Sequence, residues 1–278
     1  MTSTAKPHQA PYLRLRQVCL VAPVLAPAVA AVQAIFGLPV CYRDPNVAKF
    51  GLENALFALG NSFLEVVAPT EAGTAAGRFL ARSQGVGGYM LIFDCDNPAP
   101  RRQRAESMGV PVAFALDYPD YRGIQLHPRG GRAAILEFDH TDGGQALDGP
   151  YHPAGPHWQA ARRPAQVQGL ALAEVATPDP AGLARHWSAL MDWPATADAG
   201  VPGSWRLDFD FGAVRTVPAA AGAAEHISAL QVQVGHPDAV LAAARQHGCA
   251  CQGQRFALAG VWLEPVASGQ LSAGAVLR

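Results

Sequence analysis

Two carboxylates stand among residues that otherwise read as apolar strand. Glu65 lies in Ser62-Phe63-Leu64-Glu65-Val66-Val67 and Glu137 in Ala133-Ala134-Ile135-Leu136-Glu137-Phe138. Side chains alternate along a strand, so Phe63, Glu65 and Val67 share one face while Leu64 and Val66 share the other. A lone acid on such a face is costly to desolvate, so each must meet an open cleft or a partner. Two of them facing one largely apolar cleft repel each other and are poorly solvated, so one should hold a proton near neutral pH. A pair of that kind can serve as acid and base.

The other reactive residue types offer less. The five cysteines (Cys19, Cys41, Cys95, Cys249, Cys251) are odd in number and lack zinc-like pairing, and Cys249-x-Cys251 alone is too little for a site. They predict reduced thiols in a cytoplasmic protein. Of nine histidines, His8, His140, His152 and His157 fall in tail or linker, and His186 and His247 on predicted helices. No Gly-rich phosphate loop opens a helix, because Gly85-Val86-Gly87-Gly88 leads into a strand, and no Gly-x-Ser-x-Gly elbow occurs. With 21 basic and 22 acidic residues well mixed, a net charge of -1 gives no footprint for nucleic acid or an anionic membrane. Residues 18–40 are nearly all apolar, but Pro23, Pro27 and Pro39 interrupt them, so strand, turn and helix are expected there in place of a membrane span.

The elements that must position the two acids come in repeats. At 278 residues, half of them hydrophobic, the chain suits two domains. Residues 14–22 read as a strand, and Pro27 opens a helix that carries Val29, Val32 and Phe36 on one face and ends at Gly37. Strand-like runs follow at 46–59 and 62–68, joined through Leu59-Gly60-Asn61-Ser62. After a polar stretch at 69–85 the order restarts. A strand at 88–95 leads to a helix capped by Asp96-Asn97-Pro98 and ending at Met108-Gly109, then strands at 111–116, 124–127 and 133–138. This is an internal repeat of about 70 residues.

Residues 139–164, rich in Gly, Pro, His and Ala, read as a linker, and the order then begins twice more. A strand at 167–176 precedes a helix from Asp179-Pro180 carrying Leu183, Trp187 and Leu190. A strand at 226–234 precedes a helix from His236-Pro237-Asp238 carrying Val240, Leu241 and Ala244. Further strands are expected at 205–211, 213–217 and 261–266, which makes this half look abbreviated. Four strand-helix-strands units in two pairs predict an α+β fold whose open sheets curl into half-barrels. The expected division is a disordered tail at 1–12, a domain at 13–139, a linker at 140–165 and a second domain at 166–278.

Three stretches resemble the vicinal-oxygen-chelate superfamily, the glyoxalase, bleomycin-resistance and dioxygenase group. Arg16-Gln17-Val18-Cys19-Leu20-Val21-Ala22-Pro23 looks like its opening strand, and Phe63-Leu64-Glu65-Val66-Val67-Ala68-Pro69 like the strand that ends its first module. The run from His127-Pro128-Arg129 to Glu137 is similar to the last strand of methylmalonyl-CoA epimerase, and Thr74 to Leu80 before Gly87-Gly88-Tyr89-Met90 is also epimerase-like. The resemblance implies paired βαβββ modules, each pair forming a cup that usually holds a divalent metal. Its four ligand positions fall on Gln17, Glu65, Met90 and Glu137. The histidines usual at the first and third positions are absent and a thioether suits no hard ion, so no metal or other cofactor is expected. Were a divalent metal bound, Gln17, Glu65 and Glu137 would hold it.

In the second half the matching positions are Leu172, Val214, Ala229 and Glu264, and a structural role is expected. His226, three residues before Ala229, is placed on the helix-facing side. In the first cup Cys19, Phe63, Val67, Met90, Ile92 and Ile135 share the face of Gln17, Glu65 and Glu137. The expectation is a metal-independent proton transfer next to a carbonyl, of the epimerase, isomerase or lyase type. Glu65 and Glu137 are its acid-base pair, Gln17 holds the substrate oxygen, and Arg43, Tyr89 and His127 sit at the rim for an anionic tail. The alternative is a non-catalytic pocket that sequesters a small, mostly apolar molecule, as bleomycin-resistance members do. In either case the partner is a small molecule, with neither nucleic acid nor membrane, and a homodimer is the assembly left open.

Overall fold

The computed structural model describes residues 11–268. The first half contains β1 (Leu13–Val21), α1 (Leu25–Phe36), β2 (Val40–Tyr42), β3 (Leu52–Leu59), β4 (Ser62–Pro69), α2 (Ala75–Arg82), β5 (Gly88–Cys95), α3 (Pro98–Ser107), β6 (Val112–Tyr118), β7 (Tyr121–Leu126), α4 (Pro128–Gly131) and β8 (Ile135–Thr141). The second contains β9 (Val167–Thr177), α5 (Pro180–Met191), β10 (Thr196–Ala197), β11 (Trp205–Asp208), β12 (Ala213–Pro218), β13 (His226–Val234), α6 (Pro237–Gln246), β14 (Cys251–Gln252), β15 (Arg255–Leu258) and β16 (Val261–Ala267). The strands form two eight-stranded sheets, ordered β2-β3-β4-β1-β5-β8-β7-β6 and β10-β11-β12-β9-β13-β16-β15-β14. Each sheet joins two modules through an antiparallel pair of opening strands, and each opening strand runs parallel to the last strand of its own module.

The α+β class and the tandem paired modules are as the repeats predicted, and several details differ. The helix near Pro27 starts two residues earlier, at Leu25, and ends as expected at Gly37 with φ 66°. The strand expected at 46–59 begins only at Leu52. Asp44 caps a 3-10 turn over Pro45–Phe50, and β2 precedes it. The polar stretch at 69–85 holds α2, whose N-cap Thr74 accepts the N–H of Gly77. The second half has its full set of strands, short enough at β10, β14 and β15 to leave no periodicity. Of the tail expected at 1–12, residues 1–10 lie outside the described residues, but Tyr12 is buried and donates to Asp94 at 3.3 Å.

One bulge decides which residues of β1 face the cup. Arg14 pairs with Asp94 and Leu15 with Phe93, but the next pair is Gln17 with Ile92, so Arg16 is an extra residue in the ladder. Leu13 and Leu15 therefore join Val18 and Leu20 at the back of the sheet, while Arg14 shares the concave side with Gln17 and Cys19. The backs of both sheets belong to one apolar cluster that runs through the whole molecule, with Leu64, Phe93, Leu136 and Phe138 from the first and Val175, Val214, Leu230 and Leu263 from the second. Helices α1, α3, α5 and α6 fill the space between, and α1 buries Leu25, Val29, Val32 and Phe36 at helical spacing. The indole of Trp187 on α5 is fully buried and donates to Gly131 O at 2.8 Å across the halves.

The segment expected to be a plain linker packs as part of the first half. Tyr151, Ala154 and Trp158 are buried on the concave side against Leu56, Ala58 and Phe63. The Tyr151 ring stacks on Phe63 at 4.8 Å and Trp158 meets it edge-on at 5.0 Å. Arg16 lies beneath with its guanidinium 5.0 Å from the Tyr151 ring, pairs with Asp94 at 3.4 Å and donates to Leu147 O. Arg14 donates to Gln145 O at 2.7 Å. The bulged strand thus presents two cations that hold the segment's carbonyls, and the aromatic residues close that end of the cup.

Candidate functional site

What remains of the first cup is a polar floor between two apolar ends. At one end is the cover of Tyr151 and Trp158. At the other α2 lays Ala76, Phe79 and Leu80 beside Val21, Val67 and Met90. Between them Glu65 on β4 and Glu137 on β8 face each other over β1 and β5, brought onto one concave surface by the pairs Cys19 with Glu65, Cys19 with Met90, and Ile92 with Glu137. Glu65 and Met90 each retain 8 % exposure and Glu137 retains 4 %, while Gln17 and Cys19 are more deeply buried.

The two acids have different partners. Glu65 accepts one amide N–H at each oxygen, from Gln17 Nε2 at 2.8 Å and from Asn54 Nδ2 at 2.8 Å. Glu137 accepts from Gln125 Nε2 at 2.7 Å and from the hydroxyl of Tyr121 at 3.0 Å. Burial pushes the Glu65 carboxyl above the usual range, and the bonds from Asn54, Cys19 and Gln17 oppose it. Burial also raises Glu137, to about 7, with Gln125 and Tyr121 opposing and the charge of Glu65 adding to the rise. The same hydroxyl of Tyr121 lies 3.4 Å from Asp139, which accepts from Tyr151 at 3.3 Å and is itself pushed well up, first by burial and then by Asp94 and Glu137. Gln17 Oε1 has no partner among the described residues, and one N–H of its amide is uncommitted.

Gln17, Cys19, Glu65, Met90, Ile92 and Glu137 therefore share the floor as the alternation predicted. Phe63 has the right parity but lies under Tyr151 and Trp158, outside the open part. Tyr89 is the extra residue of a second bulge, between the pairs Cys19 with Met90 and Leu20 with Gly88. It packs on Phe79 at 4.9 Å, inside the α2 end and away from the rim, and burial raises its hydroxyl to about 12. Arg43 is exposed and donates to Asn54 O at 3.0 Å. His127 caps α4, its Nδ1 accepting the N–H of Arg129 at 3.2 Å, which is the turn-closing role. Asn54, Gln125 and Tyr121 carry no local sequence signal of a role here, since only the strand register brings them to the acids.

The donor set does not suit a divalent ion. All four carboxylate oxygens of Glu65 and Glu137 already take an N–H or O–H, the amide of Gln17 presents its nitrogen to Glu65, and a thioether stands at the third position. Among the described residues no group of three His, Cys, Asp or Glu side chains gathers in a metal-holding arrangement.

On the second sheet the matching face is tiled with ion pairs. Arg215 lies 3.6 Å from Glu174 and 2.9 Å from Asp198, and Arg255 lies 3.2 Å from Glu264, which also accepts from Gln231 at 3.2 Å. Val214 points into the core, off this face. A bulge at Ser228 puts His226 on the same face as Ala229, reversing the expected side. All five cysteines are free, and no helix among the described residues is long and apolar enough to cross a membrane.

Comparison with solved structures places this architecture. A hypothetical protein from Staphylococcus aureus aligns over 92 % of this chain and 99 % of its own, with a TM-score of 0.62 at 9 % identity, a likeness of fold. Methylmalonyl-CoA epimerase from Streptomyces coelicolor, solved with 2-nitronate-propionyl-CoA, covers 47 % of this chain and 98 % of its own at 20 % identity and a TM-score of 0.42. The epimerase from Mycobacterium tuberculosis covers 47 % and 87 % at 20 % identity and a TM-score of 0.40. No curated protein matches the chain. Residues 18–191 match the family described as Glyoxalase-like domain, a span that takes in most of the first sheet, its cover, and the opening strand and helix of the second. The chain is a member of this glyoxalase-like family, within the vicinal-oxygen-chelate superfamily.

Proposed function

We propose that the first cup binds a small carbonyl compound and moves a proton at the carbon beside the carbonyl, without a metal. The observation that carries this reading is the unequal pair on one floor, Glu65 held by two amide N–H groups and Glu137 with its pKa near neutrality. Both oxygens of Glu65 accept amide N–H groups, which offset part of the rise that burial imposes, and we assign it as the base. A carboxyl of pKa about 7 holds its proton through much of the neutral range, so Glu137 is the acid.

Glu65 takes a proton from carbon, and the electron pair of that C–H bond passes to the carbonyl oxygen. The N–H of Gln17 not given to Glu65 holds that oxygen as charge develops. Glu137 then returns a proton to carbon from the other side of the cup, which inverts the centre, or to oxygen, which leaves an enol. Two single-proton bases on facing walls suit inversion, so epimerisation is the preferred outcome.

The test is solvent exchange. The purified protein is incubated in D2O with a panel of 2-substituted acids, thioesters and ketones, and loss of the α-proton signal is followed by NMR. Exchange with at least one compound is expected, falling by about 10²–10⁴ in Glu65→Gln and Glu137→Gln. Binding without exchange in the wild type, with affinity kept in both variants, would retire catalysis in favour of sequestration.

A further inference from the structure

Three side chains close the mouth of the first cup. The 3-10 turn over Pro45–Phe50 follows one edge strand, β2, and leans over the concavity to the other edge strand, β6. There Phe50 meets Phe114 edge-on at 5.2 Å. Lys49 Nζ lies 5.2 Å from the Phe50 ring and 5.3 Å from the Phe114 ring. Phe114 pairs across the ladder with Gln125, the donor to Glu137, so the two rings stand over the acid half of the floor. Phe50 is 44 % exposed.

Lys49 is the one lysine among the described residues, and no carboxylate among them comes within ion-pair distance of it. Its ring contacts are the weak kind of partner, roughly 0.5–1 kcal/mol at an exposed site, whereas a hydrogen bond to a charged acceptor contributes roughly 1.5–3 kcal/mol. An arriving anion therefore displaces the rings from the ammonium. The charge pattern along the cup sets the orientation. The buried floor carries two carboxyl groups and offers an anion no cation, so an acid group stays at the mouth beside Lys49 while a neutral end reaches Gln17 and Glu65.

We infer that the first cup takes a small organic anion, with Lys49 recognising its acid group at the mouth and Phe50 and Phe114 parting to admit its apolar body and closing over it. This rests on the cup being a small-molecule site, and it adds the ligand's charge, the end that enters first, and a residue outside the proposed proton transfer.

Phenylacetate and phenylacetamide differ in charge at nearly constant shape and serve as probes, titrated at low ionic strength with NMR detection on wild type, Lys49→Gln, Lys49→Arg and Phe50→Ala. The wild type is expected to bind the acid about tenfold tighter than the amide, a preference lost in Lys49→Gln, kept in Lys49→Arg and reduced by salt. Phe50→Ala should weaken both probes. If the amide binds but the acid binds equally to wild type and Lys49→Gln, the inference falls and the cup as a binding site stands. If neither probe binds the wild type, both fall.

Discussion

Glu65 and Glu137 are buried to similar depth, and what separates their chemistry is the neighbouring hydrogen-bond donors. That difference has a thermodynamic signature at Glu137. Its folded-state pKa of about 7 lies above the ordinary 4.5, so the folded chain binds this proton more tightly than the unfolded one. The group's contribution is greatest below the ordinary value, is lost as pH rises between the two, and is level above about 7. Glu137→Gln removes that slope. Relative to wild type the variant should gain up to about 3 kcal/mol on going from pH 5 to pH 8, measured by urea unfolding at each pH. A parallel pH dependence in the two proteins would show that Glu137 is ionised in the fold. Both acids were legible because a carboxylate inside an apolar strand is conspicuous. Their partners were not, since Asn54 and Gln125 come from neighbouring strands whose pairing with β4 and β8 no local pattern fixes, and on β1 one inserted residue, Arg16, leaves no trace in a period of two.

At the scale of elements, the cover over the cup is the part whose composition misled. Gly143, Gly144, Gly149 and Gly155 all belong to real turns, and a Gly-rich, Pro-rich run reads as linker. The signal lay in its aromatic residues, because Tyr151 and Trp158 become fully buried against Phe63 and over Arg16. Trp158→Ala should cost about 3–5 kcal/mol by chemical denaturation and should expose the segment between β8 and β9 to limited proteolysis. An unchanged cleavage pattern would mean that the arginine contacts to its carbonyls suffice to hold it. Helix α2 was hidden in the same way. Its face toward the cup is short, and charged residues such as Arg78 and Arg82 dilute the apolar pattern, though Thr74 three residues before Gly77 is a cap readable in hindsight.

For the whole molecule, the repeats disclosed four modules, and the pairing of sheets back to back through one core follows from faces that no local pattern assigns to a partner. The seam is also stitched by main chain. Gly87 accepts from Val21 N at 2.7 Å and donates to Ala259 O at 2.8 Å, and a Cβ there would stand 2.2 Å and 2.5 Å from the carbonyl oxygens of Val21 and Ala259. Gly87→Ala should therefore lower the denaturant midpoint by the equivalent of about 1–3 kcal/mol. The two halves should melt in a single calorimetric transition, and two resolved transitions would mean that the shared core couples them weakly. The shared core also bears on synthesis. The first sheet can curl, bind its cover and complete its floor while its back, with Phe93, Phe138 and Leu64, waits for strands about 100 residues further along. At about 5–20 residues per second the nascent chain carries that bare apolar surface for about 5–20 s, long enough for capture by a chaperone or by a neighbouring nascent chain on the same message.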